Sequence, residues 1–242
     1  MTVRSLAVLA AAIALVAGCP MPASFTTPRT IPQGKVAHAI GVEWVALDAM
    51  DERTDRNYDG DTRDQGEVRN AHSVFPFAFP AYVYRLGLSD SMDVGVKGSA
   101  LPAAVVDLKV QLLRSDLVDV AMDPSVEVTL AEYLSLPVIV GLNLDPRFIV
   151  FAGPRFTYGF LLRPTDGRGP SDLGPGGTSP ASTVTGGLVG GGAGFRLALG
   201  GVCVVPEIHW QRGVFGNRGV EVTNAAIGLV FGDGQPDCGG GT

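Results

Sequence analysis

The stretch YLSLPVIVGLNL, from Tyr133 to Leu144, decides the fold of this chain. Every even-numbered position from Leu134 onward is Leu or Val, whereas the odd-numbered positions carry mostly small or polar residues such as Ser135 and Gly141. Successive side chains of a β-strand point to opposite faces, so this alternation predicts a strand with one apolar face and one mixed face.

The same alternation recurs along most of the chain. Val106 and Leu108 alternate with Asp107 and Lys109, for example, and no helix-period run of useful length is present. Short turns alternate with longer connections, the latter near 50–72, 99–103, 123–132, 164–182 and 213–219. The pattern predicts an all-β, antiparallel chain of about ten strands, within a range of ~8–12. The predicted strands are 35–48, 73–88, 92–99, 103–114, 117–123, 132–144, 147–163, 184–199, 202–213 and 219–231.

The charged side chains fall mainly on the mixed faces of these predicted strands. A soluble core on the apolar side would leave the outside with too little charge for solubility. If the apolar side faces lipid, the charges line a closed interior where opposite signs pair. We therefore predict an up-and-down transmembrane β-barrel with a polar network in its lumen. The predicted lumen residues are Arg85, Asp107, Lys109, Arg155, Arg196, Glu207 and His209.

As a whole, the chain resembles the outer-membrane β-barrel proteins of Gram-negative bacteria. Short turns that alternate with long loops and an even strand number are traits of that family. The run Ala226–Phe231 is similar to the family's final-strand recognition signal, although residues 232–242 follow it here. The resemblance implies insertion into the outer membrane.

The first residues have the form of an export signal. Arg4 precedes an apolar run from Leu6 to Val16, and small residues lead to Cys19. The run Val16–Cys19 resembles the lipobox of bacterial lipoproteins, which implies loss of residues 1–18 and acylation of Cys19. An ordinary signal peptide with an incidental cysteine is the alternative. We predict a Pro/Thr/Ser-rich tether over 19–34, a barrel domain over 35–232 and a glycine-rich tail over 233–242.

Composition narrows the choice of partners. The formal charge is −6, and the 18 Lys and Arg residues form no basic stripe, so we expect no nucleic-acid partner. After the signal, no apolar segment approaches the ~20 residues of a membrane-spanning helix. The expected partner is membrane lipid, contacted through acylated Cys19 and the barrel exterior, and the sequence identifies no protein partner.

One acidic stretch resembles a calcium-binding loop. Asp55, Asn57, Asp59 and Asp61 alternate as oxygen ligands of Ca²⁺ do, but Gly66 stands where an EF-hand would carry its bidentate Glu. A solvated acidic loop is the alternative. Calcium is the only cofactor that this sequence suggests.

Two cysteines and three histidines complete the candidates. Cys203 and Cys238 either form a disulfide or remain separate thiols. No histidine neighbours a nucleophile in a familiar pattern, so we predict no catalytic residue and a non-enzymatic protein. The preferred function is a lipid-anchored outer-membrane barrel with a structural, narrow-channel or surface-binding role. The alternatives are a periplasm-facing lipoprotein with a soluble β-barrel or sandwich that binds an apolar ligand and, third, an enzyme that uses the loop carboxylates of Asp55–Glu67.

Overall fold

A computed structural model describes residues 23–50, 70–74, 78–99, 103–128, 132–163, 182–215, 220–234 and 238. Among these residues, no helix is long and apolar enough to cross a membrane. The described part of the chain forms twelve strands. They are β1 (Val36–Met50), β2 (Asn70–Val74), β3 (Phe79–Ser89), β4 (Met92–Ser99), β5 (Ala103–Arg114), β6 (Val118–Met122), β7 (Ser125–Val128), β8 (Glu132–Asp145), β9 (Phe148–Arg163), β10 (Ser182–Ala198), β11 (Val202–Phe215) and β12 (Val220–Phe231).

The strands form one closed antiparallel sheet. Neighbours in sequence pair with each other except for β2 with β3 and β6 with β7. β12 pairs with β1 from His38↔Phe231 to Ala49↔Val220, which closes the ring. β2 and β3 pair with different heights of β1, and β6 and β7 lie one above the other between β5 and β8. These two broken strands leave ten positions around the ring. The prediction of a closed antiparallel barrel with about ten strands is confirmed.

The break between β6 and β7 corrects one sequence prediction. Residues 125–128 form β7, where the alternation predicted a loop over 123–132. Pro124 has no N–H for the ladder, which interrupts the strand. Pairing nevertheless continues on both sides of the proline. The Asp123 N–H donates to the Pro137 carbonyl at 3.1 Å, and β7 pairs with β5 and β8. Four alternating residues after a proline are too short a pattern to identify a strand from sequence.

The barrel has a mainly apolar exterior, and its buried charged side chains point inward beside an apolar cluster around Phe25 and Phe151. Leu134 and Leu144 are 58% and 61% exposed, and the outward positions of β8 between them are also apolar. By contrast, Asp93 and Lys109 in the lumen are 0% exposed. This distribution is the reverse of that in a soluble protein.

The tight turns within the described residues lie at one end of the barrel, here called the short-turn end. They are at Ser89–Ser91, Ser115–Asp116, Asp145–Arg147 and Leu199–Gly201. Gly200 and Gly201 have φ of 60° and 55°, which suits a two-residue hairpin turn. β1 begins and β12 ends at this end, and the opposite end, where the longer connections lie, is the long-loop end.

Residues 23–32, here called the lumen segment, lie inside the barrel. The chain turns inward at the short-turn end, where the Gly34 N–H donates to the Gly87 carbonyl at 2.9 Å. Phe25 and Ile31 are then 2% and 0% exposed. Composition predicts a tether here because the segment has no apolar run, but the lumen is polar and accepts threonines and bare backbone. The described part of the predicted tether is thus packed within the barrel instead of extending away from it.

Candidate functional site

Phe25 anchors the inner part of the lumen segment on two facing glycines. Gly41 of β1 and Gly228 of β12 are cross-strand partners, and both lie under the Phe25 ring. A Cβ at Gly228 would lie 2.5 Å from Phe25 Cδ1, so only glycine leaves room for the ring. The Lys97 ammonium lies 5.8 Å from the ring centroid on another side. The two glycines therefore form a seat that fits an aromatic side chain.

Two buried lysines of the wall bind oxygen atoms of the lumen segment. Lys97 donates to the Ala23 carbonyl at 2.7 Å and pairs with Glu43. Lys109 donates to the Thr26 hydroxyl at 2.7 Å and to the Thr27 carbonyl at 3.1 Å. Charged donors on carbonyl oxygens make stronger hydrogen bonds than neutral ones. The lumen segment thus supplies acceptors that these buried ammonium groups require.

Wall carboxylates bind the donors of the same segment. The Ile31 N–H donates to Asp93 at 2.9 Å, and the Ser24 N–H donates to Glu207 at 3.1 Å. The Arg29 guanidinium donates to Asp119 at 2.7 Å, which Asn143 also contacts at 2.8 Å. These contacts run from Ser24 near mid-barrel to Ile31 near the short-turn end, so the segment is held along its length.

Arg85 organises the charges of the neighbouring wall. Its guanidinium donates to Asp93 at 2.8 Å and to Asp123 at 3.3 Å, and it also pairs with Asp107. Asp93 connects this cluster to Lys109, whose Nζ lies 3.2 Å away. A buried ion is tolerated only where partners replace its lost hydration. The lumen segment takes part in that compensation through Asp93 and Lys109.

The structure divides the predicted lumen residues among four places. Arg85, Asp107 and Lys109 belong to the cluster just described. Glu207 and His209 contact each other across the β11 face, with 2.9 Å between Oε2 and Nε2. The remaining two are arginines, of which Arg155 lies between two small cavities and Arg196 donates to the Pro146 carbonyl at 3.5 Å.

The sequence prediction omitted the residues of the lumen segment itself. Thr26 and Arg29 make direct contacts with charged wall residues, and Thr30 donates to the Gln111 side chain at 2.9 Å. One signal was present: a free linker needs neither Phe25 nor Ile31, yet both apolar residues occur within this short stretch. That signal does not by itself identify the surface on which they pack.

The lumen next to Ser24 has room for water and little else. Two cavities of about 30 and 20 Å³ lie there, and Ser24 and Arg155 line both. Each has about the volume of a single water molecule. Within the residues that the structure covers, no group of three or more His, Cys, Asp or Glu is arranged to hold a metal ion. The predicted calcium ligands Asp55, Asn57, Asp59 and Asp61, and the predicted acylation site Cys19, lie outside the described residues.

Residues 232–234 and Cys238, here called the C-terminal tail, fold back onto the short-turn end. Cys238 forms a disulfide with Cys203 on the lumen face of β11, and both are buried. Asp233 accepts hydrogen bonds from the Val36 N–H at 3.0 Å and from Lys35 at 3.3 Å. These bonds hold the pKa of Asp233 below its ordinary value. The tail is therefore fixed to both β1 and β11.

The barrel is similar to a solved structure of the COG4313 outer membrane channel from Pseudomonas putida F1. The TM-score is 0.51 at 7% identity, over 88% of this chain and 100% of the channel. This likeness shows the fold alone. The outer membrane protease OmpT from Escherichia coli gives 0.43 at 8% identity, over 86% of this chain and 100% of that one. Ail, the attachment invasion locus protein of Yersinia pestis, gives 0.34 at 11%, over 82% and 98%. No protein-family model matches the chain, and neither does any curated sequence.

Proposed function

We propose that this chain is a lipid-anchored, non-enzymatic β-barrel of the Gram-negative outer membrane, closed by its own lumen segment and serving a structural or surface-binding role. The observation that carries the proposal is the reversed polarity of the wall. Ile40, Val106 and Leu108 are exposed on the outside of β1 and β5. Glu43, Asp107 and Lys109 of the same two strands are buried. A closed strand ladder with an apolar exterior suits lipid as its solvent.

The height of the apolar exterior supports a membrane setting. Phe148 and Tyr158 of β9 lie about ten residues apart on the outward face, which is ~33 Å along a strand and ~25 Å along the barrel axis at a ~40° tilt. Phe148 contacts Phe195 at one level, and Tyr158 contacts Phe215 at the other. Two aromatic belts at about this separation are typical of barrels that span a bilayer.

The filled lumen favours a structural or surface role over bulk transport. Wall charges and the lumen segment occupy the described interior, and each cavity beside Ser24 has room for little more than water. The Glu207–His209 pair borders one of these cavities, which is too small for a substrate. The runner-up, a soluble barrel that binds an apolar ligand inside, needs an apolar cavity. The described interior combines buried ion pairs with an apolar cluster around Phe25 and Phe151, and the cavities beside Ser24 are too small for such a ligand, which favours the membrane protein.

Lipid anchoring rests on the lipobox resemblance at Cys19 and sets a geometric requirement. Cys19 precedes Ala23 by four residues, which span at most ~14 Å when extended. Ala23 lies inside the barrel, with its carbonyl bound by Lys97. An acyl chain on Cys19 must therefore leave the lumen within that reach. Mass spectrometry of the mature N-terminus, with Cys19→Ala as the control, tests the modification directly.

The proposal predicts a heat-modifiable outer-membrane protein. We expect the expressed chain to fractionate with outer membranes and to migrate differently on gels before and after heating in detergent, because a closed barrel resists unfolding by mild detergent. Cys19→Ala should remove the acyl mass and leave the mobility shift unchanged, since the barrel would remain integral. Recovery of Cys19→Ala as a soluble body without a mobility shift would reject the membrane barrel in favour of the soluble lipoprotein.

A further inference from the structure

We propose that the lumen segment is a releasable plug of a cation-conducting pore and that the C-terminal tail is the latch that holds it. This inference rests on the proposed membrane location. It adds a conducting state to the closed barrel described above.

The lumen segment occupies the space that a pore would need. A barrel of ~8 strands is just filled by its own side chains, so ten strand positions leave extra room in the interior. Here that room holds one extended chain, with Phe25 on Gly228 and Pro28 on Gly141. A side chain added at either glycine would clash with the lumen segment and not with the opposite wall. Withdrawal of the segment would leave a passage about one extended chain wide.

The attachment of the segment is polar and reversible in character. Apart from apolar packing such as that of Phe25 and Pro28, the wall holds the segment by hydrogen bonds and ion pairs. Lys109 donates to the Thr27 carbonyl, for example, and the Ile31 N–H donates to Asp93. Water makes the same contacts with similar enthalpy. After withdrawal of the segment, water would therefore form hydrogen bonds with the polar wall groups of the pore. An apolar binding site for a plug could not be hydrated in this way.

The C-terminal tail closes the route by which the segment would leave. Gly234 donates to the Val36 carbonyl at 2.8 Å and packs directly on the Ile31 side chain. Ile31 is fully buried although it lies close to the short-turn end. The disulfide between Cys238 and Cys203 returns the tail to the lumen side of β11. The segment cannot withdraw past Ile31 while this tail stays in place.

The charge of the wall predicts which ions would pass. Seven carboxylates and five cationic side chains line the lumen within the described residues. The segment contributes one further cation, Arg29, so its withdrawal makes the passage more negative. A narrow passage with a net negative wall concentrates cations. The carboxylates are Glu43, Asp93, Asp107, Asp119, Asp123, Glu127 and Glu207, and the cationic side chains are Arg85, Lys97, Lys109, Arg155 and Arg196.

Planar-bilayer recording of the full-length protein in a KCl gradient tests both the conducting pore and the latch. The oxidised protein should be nearly silent. The Cys203→Ser/Cys238→Ser variant should spend at least ~10-fold more time open, because each ~1.4 kcal/mol of lost holding energy changes a two-state population tenfold. A chain lacking residues 23–32 should conduct continuously, with a reversal potential of K⁺ sign. The Phe25→Ala/Arg29→Ala variant keeps the full chain and is recorded in dithiothreitol throughout, so that the latch is open. It should behave similarly if the deletion fails to fold.

Controls separate the failure of this inference from failure of the proposed function. Dithiothreitol should open the wild-type protein and have no further effect on the double serine variant. A heat-modifiable, membrane-inserted deletion or Phe25→Ala/Arg29→Ala variant that stays silent, or that selects anions, would overturn the pore. A serine variant as silent as the oxidised wild type, beside a conducting deletion variant, would overturn the latch. Absence of insertion for every form, including wild type, would instead reject the membrane barrel.

Discussion

At the scale of single residues, the lumen is held together by ions that share partners. Lys109 has no exposed surface and lies between the Asp93 carboxylate and two oxygen atoms of the lumen segment. Charged groups that are fully buried are stable only when each has its partners, because a buried ion without a partner costs several kcal/mol. Stability at this level therefore depends on the segment as well as on the wall.

Removal of the Lys109 charge should destabilise the barrel strongly. Lys109→Met keeps the aliphatic stem but leaves Asp93 with one cation fewer, and we expect a loss of about 3 kcal/mol in unfolding free energy. Arg212→Ala is the control, since the 58%-exposed Arg212 lies 3.6 Å from Glu221 and should contribute no more than ~1 kcal/mol. Urea titration in detergent measures both. Equally small losses of unfolding free energy in the two variants would mean that the Lys109 cluster is solvated.

The seat of Phe25 makes a second prediction at this scale. Gly228→Ala should destabilise the protein, because the new methyl group meets the Phe25 ring and its three nearest neighbours are all atoms of the Phe25 side chain. In a Phe25→Ala background the same substitution should be almost neutral. We expect a coupling energy of ~1–2 kcal/mol in the double-mutant cycle. Additive effects would show that the two residues do not touch.

At the scale of elements, the strands were predictable and the lumen segment was not. Alternation along β8 and β9 is a local property, and it identified both strands and their outward faces from sequence. The position of residues 23–32 depends on partners distant in the chain, such as Asp119 for Arg29. No local pattern encodes such pairings. Alternation also predicted that a polar network lines the lumen. It did not predict which charges form each cluster, because cross-strand register decides which charges meet.

The outward face of β8 offers a test of its lipid contact. Val140→Arg places a charge near the middle of the strand and should cost ~2–4 kcal/mol in lipid, whereas Leu144→Arg, beside the turn at the short-turn end, should cost ~0–1 kcal/mol. Both residues are exposed, at 38% and 61%. Unfolding in lipid vesicles gives the comparison. A soluble barrel would tolerate both arginines equally, and that result would contradict a lipid-facing exterior.

At the scale of the whole molecule, the first and last strands meet. β1 and β12 form the closing seam, the lumen segment enters beside it, and the C-terminal tail returns across the same mouth. Sequence reasoning gave the closed barrel and left the pairing of Cys203 with Cys238 open, because nothing local places a glycine-rich tail near β11. The tail reaches Cys203 because β11 adjoins β12.

That arrangement has a consequence for how the protein is made. The lumen segment leaves the ribosome before the wall that surrounds it, and Cys238 follows the last strand. For a correctly filled barrel, oxidation of Cys238 with Cys203 must therefore be the final step of biogenesis. If the bond formed while residues 23–32 were still outside, it would seal an empty barrel. The timing of thiol oxidation relative to seam closure then decides between a sealed product and a leaky one.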